Sequence, residues 1–105
     1  MAIIRTGDGV VTQINVFTVQ PEKQQELIDL LSEAAAFASS VPGWISASVH
    51  RSLDGARVVN YAQSKDFESA QNIINALRAA GWLDRNKALG KAHTGLYEVV
   101  FTKTA

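Results

Sequence analysis

One amide in an apolar strand is the side chain that most suggests chemistry. Asn60 lies in the run RVVNYAQS, residues 57–64, whose β-branched and aromatic residues predict a strand. Strand residues alternate between faces, so Asn60 shares its face with Val58 and Ala62. A buried amide without partners costs roughly 1–3 kcal/mol. Either neighbouring groups therefore satisfy Asn60, or a cavity exists and Asn60 points into it.

The other residue types that commonly carry catalysis offer little. The chain has no cysteine, which excludes disulfides and thiolate chemistry and fits a reducing cytoplasm. His50 and His93 show neither the H-x-x-x-H spacing nor the convergent carboxylates of a zinc site. We therefore predict no metal, and we interpret His50 as an interface residue.

Composition excludes two classes of partner. Ten basic residues balance 10 acidic ones without a basic stripe, so nucleic-acid binding is not expected. No apolar run approaches the ~20 residues that cross a bilayer. The start of the sequence, MAIIRTGDGVV, also lacks the apolar core of a signal peptide. We predict one cytoplasmic domain over residues 1–105, with an N-terminal arm at 1–9.

The hydrophobic pattern orders the elements that must position these groups. A strand at 10–19 precedes Pro21, and apolar residues then recur at helical spacing until Pro42-Gly43. Strands at 44–53 and 57–64 precede a second helix that Asp66 can cap. A short irregular helix within 82–91 and a strand at 93–102 follow. This order predicts a ferredoxin-like βαββαβ fold of the α+β class, with two helices on one face of a four-stranded antiparallel sheet.

Asp54-Gly55 predicts a two-residue type I′ turn between the two middle strands. That turn places Asn60 opposite Val49, and cross-strand partners share a face. The face predicted to meet the helices carries Ile45, Ala47, Val49, Val58, Asn60 and Ala62. The opposite face carries Trp44, Ser46, Ser48, His50, Val59, Tyr61 and Gln63.

No element of the predicted fold covers this second face. A mixed face can simply be solvated, but Trp and Tyr exposed together favour an interface. We therefore predict a homodimer that packs through the sheet face, with Trp44, His50 and Tyr61 at the contact.

Residues 41–63, V-P-G-W-I-S-A-S-V-H-R-S-L-D-G-A-R-V-V-N-Y-A-Q, resemble the antibiotic biosynthesis monooxygenase (ABM) domain. The shared features are P-G-aromatic before one strand and D-G-x-x-V-V-N-Y-A-Q leading into the next. The similarity extends weakly over the whole chain. It implies a ferredoxin-like fold and homodimers whose sheets form an α+β barrel. For several members it implies oxidation of polycyclic aromatic polyketides by molecular oxygen without metal, flavin or haem.

The resemblance assigns catalytic roles to two amides, Asn15 on the first strand and Asn60 on the third. Cofactor-free members continue N-Y-A-Q with tryptophan, where this chain has Ser64. A tyrosine that some members carry in the next helix corresponds to about Ala70. The haem-degrading branch relies on that tryptophan and on a helix histidine, so the resemblance does not imply haem degradation.

Four further residues are predicted to bind the substrate. Ser64 leaves a larger and more polar pocket than tryptophan would, and Phe17 and Trp82 are candidates for its apolar lining. Arg85 is predicted near the mouth of the pocket, where it can pair with an anionic substrate.

Two hypotheses for function follow. Two amide donors aimed at one oxygen stabilise a phenolate or enolate, and such a substrate can pass an electron to oxygen without a cofactor. The first hypothesis is therefore a cofactor-free monooxygenase for an electron-rich aromatic or quinol-type small molecule. Because the tryptophan is missing, the second is a non-catalytic homodimer of the same fold that binds a small ligand or acts as an accessory protein.

Overall fold

The sheet has four strands with every neighbouring pair antiparallel. The computed structural model describes residues 2–105. The strands are β1 (Val11–Val19), β2 (Trp44–Arg51), β3 (Arg57–Ser64) and β4 (Gly90–Tyr97), in the spatial order β2-β3-β1-β4. The helices are α1 (Gln24–Ala38), α2 (Phe67–Ala79) and α3 (Trp82–Leu89). This confirms the ferredoxin-like prediction, with a third, regular helix where an irregular one was expected.

The apolar core lies between α1 and the half of the sheet nearest the β2–β3 turn. Leu27 on α1 and Val58 on β3 are fully buried. The buried cluster around them consists of Phe17, Val19, Leu27, Leu31 and Val58. Gln24 ties the start of α1 to the turn, because its amide donates to the carbonyls of Ser52 at 3.1 Å and Arg57 at 3.0 Å.

The predicted β2–β3 register is confirmed, although the turn differs. Val49 pairs with Asn60 and His50 with Val59, as the sequence predicts. A type I′ turn needs positive φ at both central residues, and only Gly55 has it, at 79°. The Asp54 carboxylate instead accepts from the N–H of Ala56 at 3.0 Å and from the Ser52 hydroxyl at 2.8 Å. These bonds hold a longer loop between the same strands.

A bulge at the start of β2 exchanges the predicted faces of Trp44 and Ile45, so the prediction that Ile45 meets the helices is wrong. The register shifts between Trp44 and Ser46, so Trp44 pairs with Ser64 on the helix side of the sheet. The prediction that Trp44 contacts a partner through the open face is therefore wrong. An extra residue in one strand reverses the alternation beyond it, and Ile45 takes the open side near Ile3 and Gln63.

The last strand begins earlier than the sequence predicts. β4 starts at Gly90 immediately after α3, and it ends at Tyr97 opposite Thr12. The predicted strand at 93–102 is therefore wrong in both bounds. β1 begins at Val11, so the ladder between β1 and β4 stops one residue short of the end of β1. Within residues 2–105, no helix has the length and apolar character required to cross a membrane.

Asp66 caps α2, and its removal should destabilise the fold in a pH-dependent way. Its carboxylate accepts from the N–H of Ser69 at 2.7 Å. That bond, with the Ser69 hydroxyl second, lowers the pKa of Asp66. A lowered folded-state pKa means that the stabilisation is complete above the unfolded-state value of ~3.9 and is lost as pH falls through the folded-state value. We expect Asp66→Ala to lower Tm by roughly 4–8 °C at neutral pH.

The matched variant Asp66→Asn separates the cap from its charge. Asparagine also caps helices well, so it should keep most of the Tm at neutral pH while flattening the dependence of Tm on pH below 5, about where carboxylates titrate. Thermal unfolding followed by circular dichroism from pH 2 to 7 measures both effects. Equal Tm for all three proteins would show that the cap contributes nothing.

Candidate active site

Asn15 and Asn60 form a direct cross-strand pair on the helix side of the two central strands. The sequence left the face of Asn15 undecided, because both faces of its strand are comparably apolar. Direct partners have Cβ atoms roughly 4.5–5.5 Å apart, so the two amides are within reach of one small group. Neither side-chain Oδ1 has a hydrogen-bond partner among the described residues, and both atoms are buried.

A narrow hollow of about 40 Å³ lies beneath the helices at this pair. Small side chains make up much of its wall, namely Ala34, Ala35, Ala38, Ala47, Ala62, Ala70 and Ser64. Larger apolar side chains complete it, namely Leu31, Trp44, Ile73, Leu77 and Leu83. The space holds little more than a water molecule or one substituent oxygen.

A wide hollow of about 330 Å³ adjoins the narrow one. Its own lining includes Phe17, Ile74, Arg78, Lys87, Ala92 and Thr94. The two hollows share Gln13, Asn15, Leu83 and Asn86. Ligand pockets usually begin near 300 Å³, so the wide hollow has room for a small ring system. Asn15 and Asn86 therefore face both hollows, whereas Asn60 faces only the narrow one.

The two hollows differ in charge. Asn15, Asn60 and the rest of the narrow lining include no acid, base or histidine among the described residues. The wide hollow has two cations, Arg78 and Lys87, both exposed. Arg78 is oriented by a 2.9 Å bond to the Asn75 side chain. The site thus combines neutral amides inside with positive charge outside, and the positive charge favours an anionic ligand in the wide hollow.

The structure brings together four of the six predicted site residues. Asn15, Asn60 and Ser64 line the narrow hollow, and Phe17 lines the wide one while also belonging to the core. Ser64 is buried, 7% exposed, at the position where the family tryptophan was expected.

Trp82 and Arg85 lie elsewhere, which corrects their predicted place at the cavity. The Arg85 guanidinium stacks 4.6 Å from the Trp82 ring centre. Trp82 also contacts Phe37 of α1, with ring centres 6.0 Å apart. Arg85 lines a separate outer groove with acidic residues of α1. One residue along a helix is a rotation of about 100°, so Leu83 and Asn86 face the hollows while Trp82 and Arg85 face away.

Asn86 is the site residue that sequence reasoning missed. It is 6% exposed, it lines both hollows, and its Oδ1 has no partner in the described chain. Its spacing from Leu83 was the available signal, since residues i and i+3 share a helix face. The predicted irregularity of this segment concealed that spacing.

Comparison with known families agrees with this geometry. The family model for the antibiotic biosynthesis monooxygenase (ABM) domain matches residues 10–80. This range is more than half of the chain, and it includes β1, β3 and both paired amides. The chain belongs to the ABM family. The third amide, Asn86, lies beyond the matched range.

Individual members of the ABM family show the same relationship. Tetracenomycin-F1 monooxygenase of Streptomyces glaucescens is 47% identical over 64 residues, which are 60% of this chain. This chain spans 57% of the length of that relative. ActVA-Orf6, a monooxygenase of Streptomyces coelicolor solved with the ligand Nanaomycin D, is 25% identical with a TM-score of 0.79. That match covers 90% of this chain and 91% of the other.

A further solved structure shares the fold. SnoaB, a cofactor-independent oxygenase of Streptomyces nogalater, aligns with a TM-score of 0.78 over 90% of this chain and 96% of its own. At 24% identity the likeness speaks for the architecture alone.

Proposed function

We propose that this protein is a cofactor-independent monooxygenase that oxidises a polycyclic aromatic compound of the anthrone type with molecular oxygen. The observation that carries the proposal is the direct pairing of Asn15 with Asn60 at the narrow hollow, where no hydrogen bond holds either side-chain oxygen in place. Each amide is therefore free to turn its N–H toward a ligand. Buried polar groups are normally satisfied within a fold. The two paired amides are thus available to a ligand that enters the narrow hollow.

The two hollows divide the substrate between them. The ring system occupies the wide hollow against Phe17 and Ile74, while its oxygen enters the narrow hollow between the amides. Only a single substituent fits there, so the size of the narrow hollow fixes which edge of the rings meets Asn15 and Asn60. Orientation is thus set before any chemistry.

Oxidation then needs only oxygen and the substrate. Loss of a proton from the ring methylene places negative charge on the opposite carbonyl oxygen, where the amide N–H groups of Asn15 and Asn60 stabilise it. The enolate passes one electron to oxygen, and the resulting superoxide and substrate radical join at the methylene carbon as a peroxide. The peroxide takes up the released proton and loses water, leaving a carbonyl. One oxygen atom ends in the quinone product and the other in water.

The surrounding charge favours the enolate. The amide pair has no titratable neighbour in the narrow hollow to act as base within the described residues. Arg78 and Lys87 at the wide hollow instead lower the pKa of a bound acidic substrate, since opposite charge favours the ionised form. We therefore expect the rate to follow ionisation of the substrate itself.

A second candidate, a ligand-binding protein without oxygenase activity, is favoured by Ser64. A serine hydroxyl there supplies neither the aromatic wall nor the indole N–H that tryptophan would. This candidate predicts binding of the same aromatic class with no oxygen consumed.

We also propose that the protein works as a homodimer joined through the open face of the sheet. Val59 and Val16 lie in one row between His50 and His93, and Tyr61 and Ile14 lie in the next row. No helix of the described chain packs on these rows. The N-terminal arm reaches only the neighbouring row, where the Gln63 amide donates to the Ile3 carbonyl at 2.8 Å. A second copy would cover the apolar rows.

Oxygen uptake with a panel of anthrones and hydroquinones tests the function. We expect consumption with at least one anthrone at a 1:1 ratio of oxygen to quinone product, and one atom of ¹⁸O in the product from ¹⁸O₂. No added metal or flavin should be needed, and a chelator should have no effect. Tight anaerobic binding of an anthrone without oxygen uptake would establish the ligand-binding candidate instead.

A further inference from the structure

Asn86 reaches the site from the side opposite the paired amides. Asn15 approaches from the sheet and Asn86 from α3, and both line the wide and the narrow hollow. The last turn of α3 is closed by the backbone, with the N–H of Gly90 donating to the backbone carbonyl of Asn86. The side-chain oxygen has no partner among residues 2–105 although the residue is 94% buried, from a relative exposure of 6%. The described chain therefore makes no use of the side-chain oxygen of Asn86.

We propose that Asn86 is a specificity-determining residue whose Oδ1 accepts a hydrogen bond from a ring hydroxyl of the substrate. The inference rests on the proposed binding of a polycyclic aromatic in the wide hollow. It names what the ring system must carry, which is a hydroxyl on the edge that faces α3.

The chemistry of the free atom selects a hydroxyl. A carbonyl oxygen only accepts hydrogen bonds, so its partner must bear a proton. A bare ring edge, an ether or a ring carbonyl would leave the oxygen of Asn86 buried and unpaired. Sites built around such a partner discriminate strongly against analogues that lack it. A hydroxylated ligand should be preferred by about 10- to 100-fold.

Anaerobic binding of product-like ligands tests the proposal independently of catalysis. The probes are anthraquinone and its monohydroxy isomers, titrated into wild type, Asn86→Leu and the control Asn72→Leu. Leucine matches asparagine in size but cannot accept a hydrogen bond. Asn72 is an exposed asparagine of α2 that lies on neither hollow.

We expect wild type to bind at least one monohydroxy isomer about 10- to 100-fold more tightly than anthraquinone. Asn86→Leu should bring that ratio close to one while keeping or improving affinity for anthraquinone, and Asn72→Leu should keep the wild-type ratio. Asn86→Leu should also melt no lower than wild type, because it removes an unpaired buried carbonyl. A structural role for Asn86 would lower Tm instead.

Three outcomes would overturn the proposal. The first is that wild type shows no preference for hydroxylated ligands. The second is that Asn86→Leu keeps the wild-type preference. The third is that Asn86→Leu loses affinity equally for every ligand. Oxygen uptake measured on the same proteins separates this inference from the proposed function. A protein that discriminates hydroxyls but consumes no oxygen retains the role of Asn86 and loses the oxygenase. Oxygen uptake without discrimination removes only the role of Asn86.

Discussion

Replacing Asn60 with alanine is expected to lower kcat for the best anthrone by about 100- to 1,000-fold. The amide N–H of Asn60 would stabilise charge that develops on the substrate oxygen, so its loss is felt in the transition state more than in binding. KM should accordingly change little. Steady-state oxygen uptake under varied anthrone concentration measures both constants.

The structure supplies the controls for this variant. Asn60 is not a member of the buried apolar cluster, so truncation enlarges the narrow hollow without removing a residue of that cluster. Asn72→Ala removes an exposed amide of α2 and should leave kcat unchanged. An Asn60→Ala protein with wild-type kcat and an intact circular dichroism spectrum would remove Asn60 from the mechanism.

Pairing with Asn15 makes a second measurement informative. Residues that act on one atom as a unit give effects that do not add. If Asn15 and Asn60 bind the same oxygen, the double alanine variant should lose little more activity than the less active of the two single variants. Fully multiplicative losses would mean that the two amides serve different atoms.

The fold and the position of Asn60 can be predicted from local sequence patterns. The Asp54-Gly55 pair fixes where the hairpin turns, and the register that follows places Asn60 beside Val49 as observed. Alternation then assigns Asn60 to the helix face. Alternation cannot assign Asn15 to a face, because both sides of β1 are apolar. Only the pairing of β1 with β3 decides which side Asn15 occupies.

The features that sequence missed arise from single-residue shifts. The bulge between Trp44 and Ser46 turns Trp44 to the helix side, and nothing in P-G-W-I-S signals an extra residue in the strand. On α3 a difference of one residue also decides the outcome, because Leu83 lines the hollows and the preceding residue, Trp82, does not. The prediction chose Trp82 and Arg85 because an aromatic ring and a cation are residue types that commonly bind ligands. The helix faces that they occupy follow from tertiary packing against α1.

The largest effect on assembly is expected from a charge at the centre of the open face. Val16 lies on β1 with Val59 and His93 as its direct neighbours, and its side chain points away from the hollows. In a dimer packed through this face, Val16→Glu buries a carboxylate from each subunit near its symmetry mate. An unpaired buried charge costs roughly 3–5 kcal/mol, so the dissociation constant should rise by at least about 100-fold.

Thr18→Glu is the matched control, because it adds the same charge two residues along the same strand and face. Thr18 is exposed and pairs with Arg57 and Lys91, so its carboxylate gains cationic neighbours instead of losing water. Light scattering at micromolar concentration should give twice the mass of one chain for wild type and Thr18→Glu, and the mass of one chain for Val16→Glu. A monomeric wild type would overturn the homodimer, whereas a dimeric Val16→Glu would move the interface to another surface. In either case the hollows would be unaffected, because they lie across the sheet from Val16.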